Sequence, residues 1–368
     1  MHELEIKVPA PRPGSYKVTI GTGLLAALWS QIKAGFGHCR PFLITDANVV
    51  AAGHLDTLLG GRPVPHFIID PPGEVSKTIT TAVTIVEAME KAYLGRDTLV
   101  VALGGGTVGD VAGFAAAIFK RGVPVVQIPT TTLAQADSAI GGKTGVDSSV
   151  SKNAFGAFWH PAAVYVDVAT VQTLEERQYR SGLVESVKHA LIADADYFEF
   201  LEQQMDAILG RQSEVLQTLG RHNCTIKGRI VEADPDERNQ RRMLNYGHTI
   251  GHAVESASNY RLLHGEAIAI GIVAAGRIEI EMGLSEPRRL ERVTTLLSRL
   301  GVPVTLPSDL DAERLIDLLR HDKKAVDRWP RCILLNQLGR VHCPNGQFAV
   351  DVDRRIVEKV ITSMVDNR

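Results

Sequence analysis

Histidine recurs here at a spacing that can hold a metal ion. In the run Asn245-Tyr246-Gly247-His248-Thr249-Ile250-Gly251-His252-Ala253-Val254-Glu255, two imidazoles stand four residues apart and a carboxylate follows three later. On a helix these positions share one face, so His248 and His252 can converge on one point with Glu255 a turn beyond. Neutral imidazole suits a borderline divalent ion such as zinc, and catalytic zinc keeps one position open beside three protein ligands. His264-Gly265-Glu266 follows closely and offers a third nitrogen, unless an acidic residue elsewhere completes the set. The competing reading is a pair of hydrogen-bonded histidines without an ion.

A second chemistry-bearing run is Gly104-Gly105-Gly106-Thr107-Val108-Gly109-Asp110, placed between an apolar strand pattern and an alanine-rich helix pattern. Glycines after a strand let the backbone approach a diphosphate, and the N–H groups at the next helix start supply donors for it. The spacing is not Gly-x-Gly-x-x-Gly, so a tight turn without ligand is the alternative. Asp46, Glu74 and Lys77 also follow strand patterns, where open α/β sheets bind ligands; taken singly, each reads equally as a cap or turn residue.

A third run is rich in small polar groups and cations: Arg121, then Thr130-Thr131-Thr132 to Asp137-Ser138, Gly141-Gly142-Lys143-Thr144-Gly145 and Lys152-Asn153. A Walker A loop is disfavoured, because the earlier glycine it requires is Asp137. Arg121, Lys143 and Lys152 read as donors to an anionic small molecule or as a solvated charged face.

The elements that must position these groups fall into two textures. Strand patterns at 42–45, 66–70, 98–103, 125–129 and 163–167 alternate with amphipathic stretches such as 80–92, the signature of a parallel, doubly wound sheet. Beyond about 178 the periodicity predicts helices over 180–191, 197–209, 212–232, 249–257, 266–282 and 287–300. The 368 residues exceed what one core sustains, so two domains are expected, over 1–177 and 178–368.

A net charge of −2 argues against a nucleic-acid binder. No apolar run is long enough to span a bilayer, and the N-terminal residues lack a signal-peptide pattern, so a cytoplasmic protein is expected. The cysteines at 39, 224, 332 and 343 form no Cys-x-x-Cys pair and read as thiols in a reducing compartment.

In combination these motifs resemble the 3-dehydroquinate synthases of the sugar phosphate cyclase family. The similarity extends from Ser15-Tyr16 and Gly21-Thr22-Gly23 to Asp322-Lys323-Lys324 and includes Gly182-Leu183-Val184-Glu185-Ser186-Val187-Lys188 besides the runs above. It implies an α/β, Rossmann-like NAD-binding domain followed by a mostly α-helical metal-binding domain, with NAD and a divalent ion, zinc before cobalt, in the cleft between them. It implies Glu185, His248 and His264 as metal ligands, and it turns His252 toward the substrate. It implies NAD contacts at Asp46, Asn48, Glu74, Lys77, Gly105, Gly106, Asp110, Thr130 and Thr131, with Lys143 and Lys152 beside them. Asp137, Lys143, Asn153, Lys188, Lys227, Arg241, Asn245 and His252 match the family's substrate contacts; Arg121, Lys152 and one of Lys323 and Lys324 match further phosphate-binding cations.

The implied reaction converts 3-deoxy-D-arabino-heptulosonate 7-phosphate to 3-dehydroquinate and phosphate, a shikimate-pathway step toward aromatic amino acids. It runs through transient oxidation by NAD, β-elimination of phosphate, re-reduction, ring opening and aldol closure, with no net redox. The resemblance also implies a homodimer. Asp147-Ser148-Ser149-Val150-Ser151 and Leu174-Glu175-Glu176-Arg177-Gln178 depart from the family's common Asn-His-Pro-Leu-Gly and Leu-Pro-x-Arg-Glu. These departures leave open a sister cyclase acting on another sugar phosphate or an amino analogue. A metal-dependent polyol dehydrogenase that releases NADH is a more distant alternative, and a non-catalytic nucleotide-binding protein another.

Overall fold

The structure is a computed structural model and describes residues 14–320 and 329–366. The first part of the chain runs β1 (Lys17–Gly21), α1 (Leu25–Phe36), β2 (Arg40–Asp46), α2 (Ala47–Ala51), α3 (His54–Leu59), β3 (His66–Ile69), α4 (Ile79–Lys91), β4 (Thr98–Gly104), α5 (Gly106–Ile118) and β5 (Val125–Pro129). A short antiparallel pair, β6 (Lys143–Val146) and β7 (Phe155–Phe158), precedes β8 (Ala163–Asp167). The main sheet has the order β1-β8-β5-β4-β2-β3.

Strand β4 pairs in parallel with β2 and β5, and β2 with β3. Because β3 lies on one side of β2 and β4 on the other, the winding reverses between β2 and β4. In open α/β sheets such a switch point opens a crevice at the strands' carboxyl ends. Alternation places Phe42, Ile44, Val100 and Ala102 in a core shared with α4 and α5. Leu43, Leu99, Val101 and Leu103 enter a second core with α1 and α3. Helices thus cover both faces, which is why these strands read as nearly unbroken apolar runs.

The rest is mostly helical: α6 (Glu176–Ala193), α7 (Ala195–Leu209), α8 (Ser213–Ala233), α9 (His248–Ala257), α10 (His264–Glu281), α11 (Pro287–Leu300), α12 (Ala312–Arg320) and α13 (Arg354–Asp366). Each helix expected after residue 178 forms. Helix α6 starts at Glu176 instead of Arg180 because the Glu175 side chain accepts from Arg177 N and Gln178 N, closing the first turn four residues early. Helix α10 starts at His264 instead of Glu266 because the Glu266 carboxylate reaches back to Leu263 N. Among the described residues no helix is long and apolar enough to cross a membrane.

The two compact units do not follow a single cut at residue 177. One comprises Leu25–Pro129 and Gly142–Tyr165 with the strand residues before Ile20; the other comprises Ile20–Leu24, Thr130–Gly141 and the described residues from Val166 onward. The segment Thr130–Gly141 packs with the helices because the N-terminal half of α6 has room for it. A Cβ on Gly182 would stand 2.2 Å from Thr132 Oγ1 and 2.3 Å from Leu133 N, so only glycine permits this approach.

Candidate active site

In the first unit the candidate nucleotide contacts gather at the carboxyl ends of β2, β3 and β4. Gly105 caps α5, and Gly106 is its first residue, so the first-turn N–H groups of this helix stand beside the switch point. Lys77, only 6% exposed, pairs with Asp110 at 2.7 Å. Burial works against its charge, but the carboxylates of Asp110 and Glu74 outweigh it and hold the ammonium above its ordinary range. Glu74 accepts from Thr107 Oγ1 at 3.2 Å, and Lys152 Nζ stands 3.4 Å from its other oxygen. Asp46 accepts from Val49 N at 2.9 Å, capping α2, and burial raises its carboxyl above the usual range. Asn48 lies in that same short helix.

Lys143 opens β6 and is exposed. Asn153 takes a left-handed backbone (φ 52°), and its N–H donates to Asp147 Oδ1 at 2.6 Å. The loop 147–153 is therefore closed internally, with Ser148 Oγ accepting from Val150 N and Ser151 N. Arg121 stands beyond the far end of α5, about 20 Å of helix from Gly106 by the rise per residue, and is not part of the group at the switch point.

In the second unit Glu185 (α6), His248 (the first residue of α9) and His264 (the first residue of α10) bring one ligand atom each within 4.8 Å of the others. His248 Nε2 and His264 Nε2 stand 3.8 and 3.6 Å from Glu185 Oε1. These gaps exceed a hydrogen bond, so among the described residues Oε1 of this fully buried carboxylate has no hydrogen-bond partner, while Oε2 lies against Lys188 Nζ. Ligands about 2.0–2.1 Å from a tetrahedral zinc lie roughly 3.4 Å apart, so the donor set fits an ion. Burial would raise Glu185, but Lys188, ion-paired with it on the next turn, together with the histidines holds it ionised, well below the carboxylate range.

Burial, then the Lys188 ammonium, pushes His248 far below its ordinary value, keeping the ring neutral as a ligand must be. Its Nδ1 lies 3.0 Å from the Tyr246 carbonyl, which assigns the proton to Nδ1 and leaves the Nε2 lone pair available to a metal ion. His264 experiences burial too, but Glu185 and Glu255 outweigh it and bring the ring up to about 9.

His248 and His252 do not share a ligand group among the described residues. His252 is exposed and meets His248 edge-on, ring centroids 5.2 Å apart. It belongs instead to a second cluster with Glu255 and His264. The helical spacing put both rings on one face, as observed, but α6 delivers Glu185 to only one of them.

Beside this cluster sit buried cations. Lys227 (α8) reaches Asp137 Oδ1 at 2.8 Å, and its Nζ also lies against the Asp137 carbonyl. Burial drives Lys227 below its ordinary range, and Lys188 and Arg241 add to the effect despite Asp137. Asp137 sits in a π-turn over Ala134–Ser138; burial would raise it, and Lys227 and Lys188 hold it well below the usual range. Arg241, 1% exposed, donates to Pro235 O at 2.6 Å and Gly141 O at 2.9 Å. Asn245 donates to Glu237 Oε1 at 2.9 Å. Thr130 and Thr131 follow β5 directly, and Thr131 Oγ1 accepts from Ala134 N. Lys323 and Lys324 lie outside the described residues.

Sequence reading overlooked His189, which is fully buried with Nε2 3.6 Å from Asp137 Oδ1 and Nδ1 3.2 Å from Asn223 Oδ1. Its place four residues after Glu185 on one helix face was the available signal.

The chain is similar to known proteins over nearly its full length. The family description "3-dehydroquinate synthase N-terminal" matches residues 67–181 and "3-dehydroquinate synthase C-terminal" matches 182–325. A 3-dehydroquinate synthase of Ruminiclostridium cellulolyticum is 44% identical over 95% of this chain and 96% of its own. The crystal structure of a 2-deoxy-scyllo-inosose synthase with carbaglucose-6-phosphate, NAD+ and Co2+ superposes with a TM-score of 0.84 at 29% identity, covering 94% of this chain and 96% of that one. The 2-epi-5-epi-valiolone synthase of Streptomyces hygroscopicus subsp. jinggangensis, with NAD+ and Zn2+ bound, gives 0.87 at 29% identity over 99% and 100%. A chain matched by both family descriptions in sequence, and by a curated relative over nearly its full length, belongs to the 3-dehydroquinate synthase family.

Proposed function

We propose that the protein converts 3-deoxy-D-arabino-heptulosonate 7-phosphate to 3-dehydroquinate and phosphate, using NAD and a divalent ion. The observation that carries this reading is the buried Glu185–His248–His264 set beside Lys188, Lys227 and Arg241 in one unit: a place for a Lewis acid next to a place for an anion. When bound, NAD accepts and returns a hydride, and the ion lowers the pKa of the alcohol it holds.

The chain's own residues do the rest. Lys77 and Asp110, with the N–H groups at the start of α5, bind and orient the dinucleotide. Lys188 balances the Glu185 carboxylate, so the ligand set stays ionised. Arg241 and Asn245, fixed by the Gly141 and Glu237 contacts, grip the acidic substrate, and Asp137 orients its hydroxyls. Lys227, pushed below the usual lysine range, is suited to passing a proton, and exposed His252 to receiving one near the departing phosphate. Arg121, Lys143, Lys152 and Asn153 are assigned to phosphate and substrate binding by the family resemblance. We place the protein in the cytoplasm as a homodimer, in keeping with its unpaired cysteines and its family.

Incubation with the heptulosonate phosphate should release phosphate while NADH stays below the enzyme concentration. Stoichiometric NADH from a simple polyol would refute the cyclase reading. The stretch 147–151, which departs from the family's common sequence, favours a second reading as a sister cyclase. Phosphate release from a hexose 6-phosphate, and none from the heptulosonate, would establish it.

A further inference from the structure

Helix α9 presents His248, His252 and Glu255 at i, i+4 and i+7, one face directed at the start of α10. The third of these has no role in the ligand set proposed above, yet it is a carboxylate only 7% exposed. Its Oε2 stands 3.5 Å from His264 Nδ1, while His264 Nε2 faces Glu185 on the opposite side of the ring. The Glu255 backbone is also held: its carbonyl accepts from Ser258 Oγ at 2.8 Å and from Tyr260 N at 3.0 Å, which fixes the turn of chain leading to His264.

The two histidines are therefore oriented by different means. The far nitrogen of His248 meets a backbone carbonyl; that of His264 meets a carboxylate. A carboxylate behind an imidazole fixes its tautomer, stops ring rotation and makes the opposite nitrogen a stronger donor to a cation.

We propose that Glu255 is the positioning residue for His264, holding Nδ1–H so that Nε2 is presented to the ion; this rests on the Glu185–His248–His264 reading. The competing arrangement is the cluster of His252, Glu255 and His264, in which Glu255 would be a ligand itself.

Zinc affinity of the stripped full chain, measured by competition with a chromophoric chelator, separates these. Wild type should bind one zinc tightly. Glu255→Ala should weaken binding about 10–100-fold, the usual effect of removing such a support, and Glu255→Gln, whose amide oxygen can still accept from Nδ1–H, should recover part of the loss. His248→Ala should abolish tight binding, and His252→Ala should spare it. Zinc affinity of Glu255→Ala equal to wild type overturns the positioning role while leaving the metal site standing. Loss of zinc in His252→Ala with retention in His248→Ala overturns it in favour of direct ligation. Failure of wild type to bind zinc or cobalt overturns the metal reading and this proposal with it. Melting of the zinc-free variants at the wild-type temperature, together with rescue by Gln, distinguishes positioning from a general packing defect.

Discussion

Arg177 grips Glu266 through two parallel hydrogen bonds of 2.7 Å, Nε to one carboxylate oxygen and Nη2 to the other. The same Glu266 accepts from Leu263 N, and the same guanidinium donates to the Arg261 carbonyl at 2.8 Å. The clamp thus ties the first turn of α6, which carries Glu185 further along, to the residues that deliver His264. Arg177→Lys removes the fork geometry but keeps the charge. The arginine is half exposed, so the stability loss should stay within about 1 kcal/mol. The Leu263 amide should nevertheless exchange with solvent faster, and unchanged protection there would show that the clamp does not hold this segment.

Lys77 and Asp110 form the corresponding fixed pair in the first unit. If they bind the dinucleotide, Lys77→Met should weaken NAD binding by roughly 2–5 kcal/mol, the range for truncating one partner of a buried charged contact. Zinc content should stay at the wild-type level. Titration calorimetry with NAD checks this; equal affinity in the variant would remove Lys77 from the nucleotide site.

How much of this was legible beforehand varies with the range of the interaction. The strands after Arg40, Thr98 and Val125 and the helices from α6 to α11 announce themselves, because burial of both sheet faces and helical periodicity are local patterns. The pair β6–β7 falls in the run Lys143 to Phe158, where glycine and polar side chains mask any alternation, so the sequence reads only as an anion-binding stretch. The assignment of Thr130–Gly141 to the helical unit depends on a long-range fit at Gly182 that no local pattern encodes. In the site, spacing put His248 and His252 on one face of α9, but Glu185 arrives from another helix; resemblance, not periodicity, supplied it. His189 behind Asp137 and Glu255 behind His264 follow from tertiary packing: Glu255 could be read only as a carboxylate a turn beyond the histidine pair, and His189 only as a polar residue four after Glu185.

Helix α10 approaches α6 so closely that a Cβ on Gly265 would lie 1.8 Å from the Ser181 carbonyl oxygen. Gly265→Ala must push the two backbones apart beside His264, and overpacking of this kind should cost about 1–3 kcal/mol or more. Gly228, in α8, has nothing within 4 Å of its would-be Cβ, so Gly228→Ala should stabilise by about 0.5–1 kcal/mol through helix propensity alone. Urea unfolding of the zinc-free variants measures both; a neutral Gly265→Ala would mean that the helices can separate without strain.

Glu279, on α10, is 1% exposed, accepts from Leu335 N at 2.8 Å and pairs with Arg289 at 2.7 Å. Burial outweighs Arg289 and lifts its carboxyl from 4.5 to about 7. A carboxyl raised in the folded state binds its proton more tightly there than in the unfolded chain. Its stabilising contribution is therefore complete below pH 4.5 and is lost as pH rises through 7. The displacement corresponds to roughly 3 kcal/mol when fully developed. Glu279→Gln cannot titrate, so wild type should lose stability relative to this variant between pH 5 and 8, most steeply near 6, in denaturant titrations at fixed salt. A wild-type minus variant difference that is flat across this interval, or that grows with pH, would mean that Arg289 holds the carboxylate ionised and that burial is not the dominant influence on Glu279.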